Sequence, residues 1–324
     1  LARWTCPLCL NLHKSTRVFF RKTMNWLSLI EESSFFWQYP VCTEKQFCKQ
    51  NNLDENFIGF PWATVIDKKI NLNEIYDFIS TNIDLEKKYY TSCQHIFFRS
   101  LKNIFEALSI NLVYSPHKII NEDKLGDIDL LPCPLYAVNI EDDHRNSAFK
   151  NINLSSNKRD LLFSFYGGYQ GGYLTDIRPK IFQLPSSNDY IVKNTGDWHF
   201  NESVYNPLQN NMGELNESEG RRSNTETYNQ LLIRSRFSLC PSGSGPNSIR
   251  LWESLGAGSI PVLLADTLQL PKNELWERSI LRMKECDIQS IPDILRGIGE
   301  KEETRRRELC LELYNFYRDN YKND

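Results

Sequence analysis

Two α/β domains, each built on a parallel sheet and meeting at a cleft, are the architecture this sequence predicts. Three observations carry the prediction. From about residue 75 onwards, apolar runs of strand length alternate with stretches of helical spacing, the order that produces parallel sheet. A polar stretch, KNINLSSNKRD (150–160), breaks that alternation into two blocks. The chain has 324 residues, too many for one ordinary core and suited to two domains of about 150 each. The division expected is 1–155 and 156–300, followed by a C-terminal helix over 301–324.

The elements follow in order. Residues 1–75 are rich in aromatics (Phe35, Phe36, Trp37, Tyr39, Phe60, Trp62) but show no period, and they stay unassigned. LNEIYDFISTNI (72–83) has helical spacing, KYYTSC (88–93) reads as a strand, and HIFFRSLKNIFEALSI (95–110) as a helix. NLVYSP (111–116) is the next strand. LPCPLYAVNI (131–140) reads as a strand behind two prolines, running into the acidic loop EDDHRN. In the second block LLFSFYG (161–167) is a strand, GGYQGGY a loop, and a helix begins near Asp176. YIVKNTG is a strand and residues 210–226 a polar loop without core pattern. TYNQLLIRS is a helix, RFSLC a strand, NSIRLWESLGAG a helix and SIPVLLAD a strand. The segment 300–321 is a long amphipathic helix that either docks on the first domain or caps its own core. Ligands of parallel sheets bind at the carboxyl ends of strands. The loops after Cys93, Ile140, Phe165 and Cys240 are therefore where a site is expected.

Composition narrows the function. Hydrophobic residues make up 40% and charged residues 24%, which describes a globular chain. A net charge of −3 argues against a general nucleic-acid binder. No apolar run approaches membrane-spanning length, and the start carries no secretory signal. The chain begins at Leu1 and not Met, which leaves room for an upstream segment. The nine cysteines form no disulfide rhythm, and Cys93, Cys133 and Cys240 sit in apolar surroundings as reduced core residues. The CxxC at Cys6 and Cys9, with Cys42 and Cys48, lacks the ligand spacing of a zinc site. The sequons at Asn153, Asn201 and Asn216 are chance matches in an Asn-rich chain. A reducing, cytoplasmic compartment is expected, with the Golgi or ER lumen as the alternative if an upstream anchor has been removed. Asp127 and Asp129, the one D-x-D, fall in the polar turn GDID and read as solvated rather than metal-binding.

The most patterned stretch is RSRFSLCPSGSGPNSIRLWESLGAGSIPVLLAD (234–266). Gly243 and Gly245 let backbone approach a ligand closely. Asn247 or Ser248 can cap the helix that follows, whose free N–H groups attract anions. Arg250, in its first turn, adds a forked donor suited to phosphate. Glu253 shares Arg250's face three residues on, and a carboxylate there suits the paired hydroxyls of a ribose better than a phosphate. Together they describe a nucleoside diphosphate site. The alternative is a surface ion pair between Arg250 and Glu253 beside a purely structural turn.

This stretch resembles the exostosin family of glycosyltransferases. The shared positions are Arg234, Ser235, Phe237, Cys240, Pro241, Gly243, Gly245, Ser248, Arg250, Leu251, Glu253, Gly258, Ile260, Pro261, Val262 and Asp266. Upstream, FSFYGGYQGGYLTDIR resembles the family's strand, glycine and Arg-bearing helix, with Gly167 and Arg178 in the matching places. The resemblance spans roughly residues 85–270. It implies the GT-B fold, two Rossmann-like domains facing a central cleft, and inverting transfer from a nucleotide sugar, usually a UDP-sugar, to a glycan acceptor. It further implies that Arg250, Ser242, Ser248 and the Gly243–Gly245 backbone hold the pyrophosphate, with Gly167 and Arg178 approaching from the neighbouring loop and Glu253 holding the ribose. Arginines and a helix N-terminus can stabilise the departing diphosphate, so no metal and no further cofactor is expected.

Inversion needs a general base on the first domain's side of the cleft. Asp142 is the first candidate, then Glu141, both in the EDDHR loop, and His95 is the third. Against them stand plain solvation or an ion pair with Arg145 for the acidic loop, and a helix-capping role for His95. Trp198 and His199 could stack on a sugar or form a buried corner. Arg221, Arg222 and Arg305–Arg307 read as solvated charge runs. A catalytically inactive nucleotide- or sugar-binding module, or another nucleotide-sugar enzyme on the same fold, is the alternative reading of the whole.

Overall fold

The computed structural model describes residues 24–196 and 219–322, and in it the chain forms two five-stranded sheets. The first contains β1 (Phe57–Ile58), β2 (Tyr89–Ser92), β3 (Ile110–Ser115), β4 (Lys124–Leu125) and β5 (Ile128–Pro132), in the order β1-β2-β3-β5-β4. Its pairs are parallel except β4 with β5, a hairpin turned at Gly126, whose φ of +67° favours glycine. Asp129 lies on β5 and pairs with Lys124 at 3.2 Å. The second sheet contains β6 (Leu161–Gly167), β7 (Ile191–Asn194), β8 (Ser235–Pro241), β9 (Ile260–Leu264) and β10 (Leu281–Arg282), all parallel, in the order β10-β9-β8-β6-β7. From β6 the chain steps outward to β7. From β8 it steps the opposite way to β9 and β10. The direction reverses between β6 and β8, and their neighbouring carboxyl ends open the crevice in which such sheets take ligands.

Three stretches differ from the sequence-based reading. Residues 24–75, unassigned above, form the helices Trp26–Glu31, Thr43–Asn51 and Trp62–Lys68 together with β1. Their aromatics are the first sheet's core. Trp62 meets Phe105 edge-on at 5.0 Å and donates its indole N–H to Thr91 at 2.8 Å, and Trp26 donates to the Phe57 carbonyl at 2.7 Å. Helices of two turns buried on several sides leave no stripe, so no period is visible.

The strand expected over 131–140 ends at Pro132, and Val138–Glu141 is a single helical turn. Pro134 has no N–H to continue the ladder. The loop expected over 210–226 is helical from Glu219, in one helix running to Arg234. Its buried face carries the polar Thr225 and Asn229 beside Tyr228 and Leu232, which hides the apolar stripe. The CxxC cysteines, Trp198, His199 and the sequons at Asn201 and Asn216 lie outside the described residues.

The C-terminal helix, Glu300–Asp319, meets both alternatives raised for it. Cys310, Leu313, Tyr314 and Tyr317 pack into the second sheet's core, against helices Ile249–Gly256 and Trp276–Ser279. Beyond it Tyr321 enters the first core, and Gln50 binds the Arg318 carbonyl at 2.9 Å and the Tyr321 amide at 2.8 Å. On the opposite side, loops at the carboxyl ends of the two sheets meet. Ile120 donates to the Thr267 carbonyl at 2.9 Å and Gln269 to that of Lys118 at 3.1 Å. No helix among the described residues is long and apolar enough to cross a membrane.

Candidate active site at the strand-order reversal

The loop leaving β8 is held by its own backbone. Ser242 donates to the Leu264 carbonyl at 2.9 Å, Gly243 to that of Gly245 at 2.9 Å, and Leu174 to that of Gly243 at 2.8 Å. Ser248 caps helix Ile249–Gly256, its hydroxyl accepting from the Arg250 amide at 3.4 Å. Asn247 reaches across to the Pro116 carbonyl at 2.9 Å and accepts from the Trp252 indole at 3.1 Å. It thus ties the loop to the end of β3.

Two arginines flank the crevice. Arg178, from the helix after β6, donates to the carbonyls of Ser242 (2.9 Å) and Gly168 (2.8 Å), and the Tyr173 ring covers it at 4.7 Å. Arg250, from the helix after β8, donates to the Tyr166 carbonyl at 2.6 Å and lies over Phe165 and Tyr228, each at 4.8 Å. Both guanidiniums are buried, and among the described residues neither has a carboxylate within ion-pair distance. Arg250 Nε is buried with no hydrogen-bond partner. Burial, with a contribution from Arg250's charge, brings Arg178 down to about 10. The glycines make room for these groups. A Cβ on Gly167 would lie 2.7 Å from Arg250 Nη2, and one on Gly243 would lie 3.1 Å from Arg178 Nη2.

Ser242 is the centre of a polar cluster. Its hydroxyl meets that of Thr175 at 3.0 Å and the Glu285 carboxylate at 3.2 Å, and burial raises the pKa of Glu285. Glu253 is 3% exposed, and its oxygens accept from the Asn139 amide (3.0 Å) and the Tyr228 hydroxyl (2.7 Å). Burial raises its pKa as well. Arg250 and Glu253 are therefore not a surface ion pair: both are buried, and each serves other partners.

Gly245 marks the contact between the two halves. A Cβ there would stand 2.6 Å from His117 Nδ1 and 2.7 Å from Ile96 Cγ2, so only glycine lets this loop close on the loops after β2 and β3.

The three candidate bases lie elsewhere or are fully engaged. Asp142 accepts from the Tyr39 hydroxyl and the His144 amide, both at 2.9 Å, and stands 3.9 Å from Arg145 Nε. Glu141 accepts from the Tyr314 hydroxyl. The Tyr314 ring packs against Gly256, which places Glu141 at the opposite end of the Ile249–Gly256 helix from Ser248. His95 precedes Ile96, which packs against Gly245, but its Nε2 binds Asp67 at 3.0 Å and its Nδ1 accepts the Phe97 amide at 3.0 Å, capping the turn that follows. The structure thus gathers Gly167, Arg178, Ser242, Gly243, Gly245, Ser248 and Arg250 around one crevice. Glu253 is held by the Asn139 amide and the Tyr228 hydroxyl, and Glu141 lies at the far end of the Glu253 helix from Ser248. Sequence reasoning missed His117, Tyr173, Thr175, Tyr228 and Glu285. His117 and Glu285 follow the carboxyl ends of β3 and β10, so the carboxyl-edge rule applied to every strand would have included them, and Tyr173 and Thr175 lie in the expected loop after β6.

Comparison with known proteins gives this geometry a context. Residues 95–298 match the model of the exostosin GT47 domain. The chain is similar to an Exostosin-1 homolog of Caenorhabditis elegans, 28% identical over 206 residues, covering 60% of this chain and 50% of that protein. It is 31% identical over 167 residues to Exostosin-1 of Drosophila melanogaster, covering 51% of this chain and 21% of that protein. A probable glucuronoxylan glucuronosyltransferase of Arabidopsis thaliana is 38% identical over 74 residues, 22% of this chain and 16% of that one. The chain spans half or less of the length of these relatives.

Proposed function

The chain belongs to the exostosin GT47 family of glycosyltransferases, and from that premise we propose that it moves a sugar from a nucleotide sugar, a UDP-sugar, to a glycan hydroxyl with inversion at the anomeric carbon. The two sheets are the two domains of a GT-B fold in this reading, the second holding the donor and the first the acceptor. The observation that carries it is the pair of buried guanidiniums, Arg178 and Arg250, without carboxylate partners among the described residues, at the reversal of strand order. Buried cations balanced only by carbonyl dipoles favour an anion beside them.

A diphosphate at the Gly243–Gly245 backbone meets these cations and the N-terminus of the helix capped by Ser248. As the glycosidic bond breaks, negative charge gathers on the departing diphosphate, and donors already fixed in place stabilise it without reorganising. Cationic side chains in this position do the work a divalent metal does in other transferases. Glu253 acts on the site indirectly, holding its helix to the Asn139 amide and Tyr228. Several relatives are probable glucuronosyltransferases, which makes UDP-glucuronate the first donor to test.

The test is proton NMR of the product anomeric centre with UDP-glucuronate, UDP-glucose and UDP-N-acetylglucosamine, in buffer with EDTA. The expected result is turnover of one donor to a product of inverted configuration at an undiminished rate. Retention would contradict the mechanism, and no turnover of any donor would leave a nucleotide-binding module.

A further inference from the structure

We propose that Tyr228 is a positioning residue for donor binding: its ring, anchored through Glu253, holds the Arg250 guanidinium in place for the diphosphate. The inference rests on the donor-site reading above and goes beyond it by assigning what fixes one of that site's cations.

Arg250 needs such a fixture. An arginine side chain has several rotatable bonds, and holding it in one geometry costs conformational entropy. Among the described residues its guanidinium makes one hydrogen bond, from Nη2 to the Tyr166 carbonyl at 2.6 Å, and Nε is buried without a partner. What remains is two aromatic rings, Phe165 and Tyr228, each centred 4.8 Å from the guanidinium carbon. A guanidinium over an aromatic face is attracted by the ring quadrupole, most strongly where water is excluded. All three side chains are buried, so water is excluded here.

The two rings are held differently. Phe165 belongs to β6 and is set by the sheet. Tyr228 comes from helix Glu219–Arg234, packs with Leu161, Tyr166 and Leu232, and donates its hydroxyl to Glu253 Oε2 at 2.7 Å. Burial, followed by the charge of Glu253, holds that hydroxyl well above the usual tyrosine range, so it stays protonated and remains the donor. The other oxygen of Glu253 accepts the Asn139 amide at 3.0 Å, in the helical turn after β5. Arg250 and Glu253 lie on the same helix, Ile249–Gly256. The anchor for the Tyr228 hydroxyl and the cation over its ring therefore share one rigid support. A cation fixed in this way needs no reorganisation when the diphosphate arrives. An ordinary core tyrosine also buries its ring and satisfies its hydroxyl; the cation over its face is what sets Tyr228 apart.

The experiment measures UDP affinity by calorimetry, and melting temperature, for the whole protein and its variants. Tyr228→Leu removes the ring but keeps apolar bulk, and is expected to weaken UDP binding about 10-fold. Tyr228→Met, a ringless variant of different shape, is expected to do the same. Tyr228→Phe restores the ring and is expected to recover affinity to within about 3-fold of native, with a lower melting temperature because a buried Glu253 oxygen loses its donor. In an Arg250→Met background, Tyr228→Leu is expected to change UDP affinity less than about 2-fold, because the group it acts through is gone. Native affinity in the ringless variants would overturn the assignment. So would an equal loss with Arg250 present or absent, or binding by Tyr228→Phe as weak as by Tyr228→Leu, the marks of a purely structural role. A native protein that binds no nucleotide overturns the donor-site reading and the assignment with it.

Discussion

Glu44 shows how much a single buried carboxyl organises beside the first sheet. It is 2% exposed and accepts from the Ala63 amide at 3.1 Å and the Gln94 amide at 3.0 Å, tying the helix after β1 to the loop after β2. Burial outweighs these hydrogen bonds and pushes its pKa up to about 8. Folding thus raises the carboxyl above its unfolded value of about 4.3. The stability it contributes is complete below that value and is lost as the pH climbs through about 8. Glu44→Gln removes the titration. Urea midpoints measured from pH 5 to 9 are expected to fall less steeply with pH in the variant than in the native protein. Parallel curves would show that Glu44 is already charged in the fold at pH 5.

Arg159 is the clearest case at the scale of elements. Its guanidinium donates to the carbonyls of Leu232 (2.7 Å), Ser235 (2.8 Å), Ala257 (2.7 Å) and Leu154 (3.2 Å). It therefore satisfies the open carbonyl ends of helices Glu219–Arg234 and Ile249–Gly256 together, where a cation is also favoured by the helix dipoles. Arg159→Met leaves several carbonyls without partners, at about 1–3 kcal/mol each if they stay buried. A loss of at least about 3 kcal/mol in urea unfolding is expected, and a loss below about 1 kcal/mol would mean that water replaces the guanidinium.

The elements also show what the sequence reveals. Strands β6, β8 and β9 were legible because strands buried on both faces read as continuous apolar runs between glycines. The first turns of helix Glu219–Arg234 were not, because their buried face is polar, and the same polarity forms the pocket of Tyr228, Asn139 and Arg145 around Glu253. Residues 24–75 were opaque because short helices buried on several sides leave no periodic trace.

For the whole molecule, the carboxyl edges of the two sheets meet through Ile96 and residues 117–120 on one side and Gly245 and residues 267–269 on the other, while the C-terminal helix fastens the second core to the first. The loop after β8 was readable because its residues are consecutive in the chain: a loop, a cap and one helical turn. The loops of the first sheet that meet it were not. His117 meets Gly245, from a distant loop, only in the fold, whereas the acidic run at 141–143 drew attention and is held by tyrosines, a backbone amide and nearby cations.

The central claim is that the crevice between β6 and β8 is a nucleoside diphosphate site built on Arg178 and Arg250. Calorimetric titration of the whole protein with UDP in the presence of EDTA, repeated with Arg250→Met, tests it most directly. The account predicts micromolar binding that EDTA leaves unchanged and that weakens on the order of 10-fold or more in the variant. Absence of UDP binding, or an affinity that Arg250→Met does not alter, would contradict it.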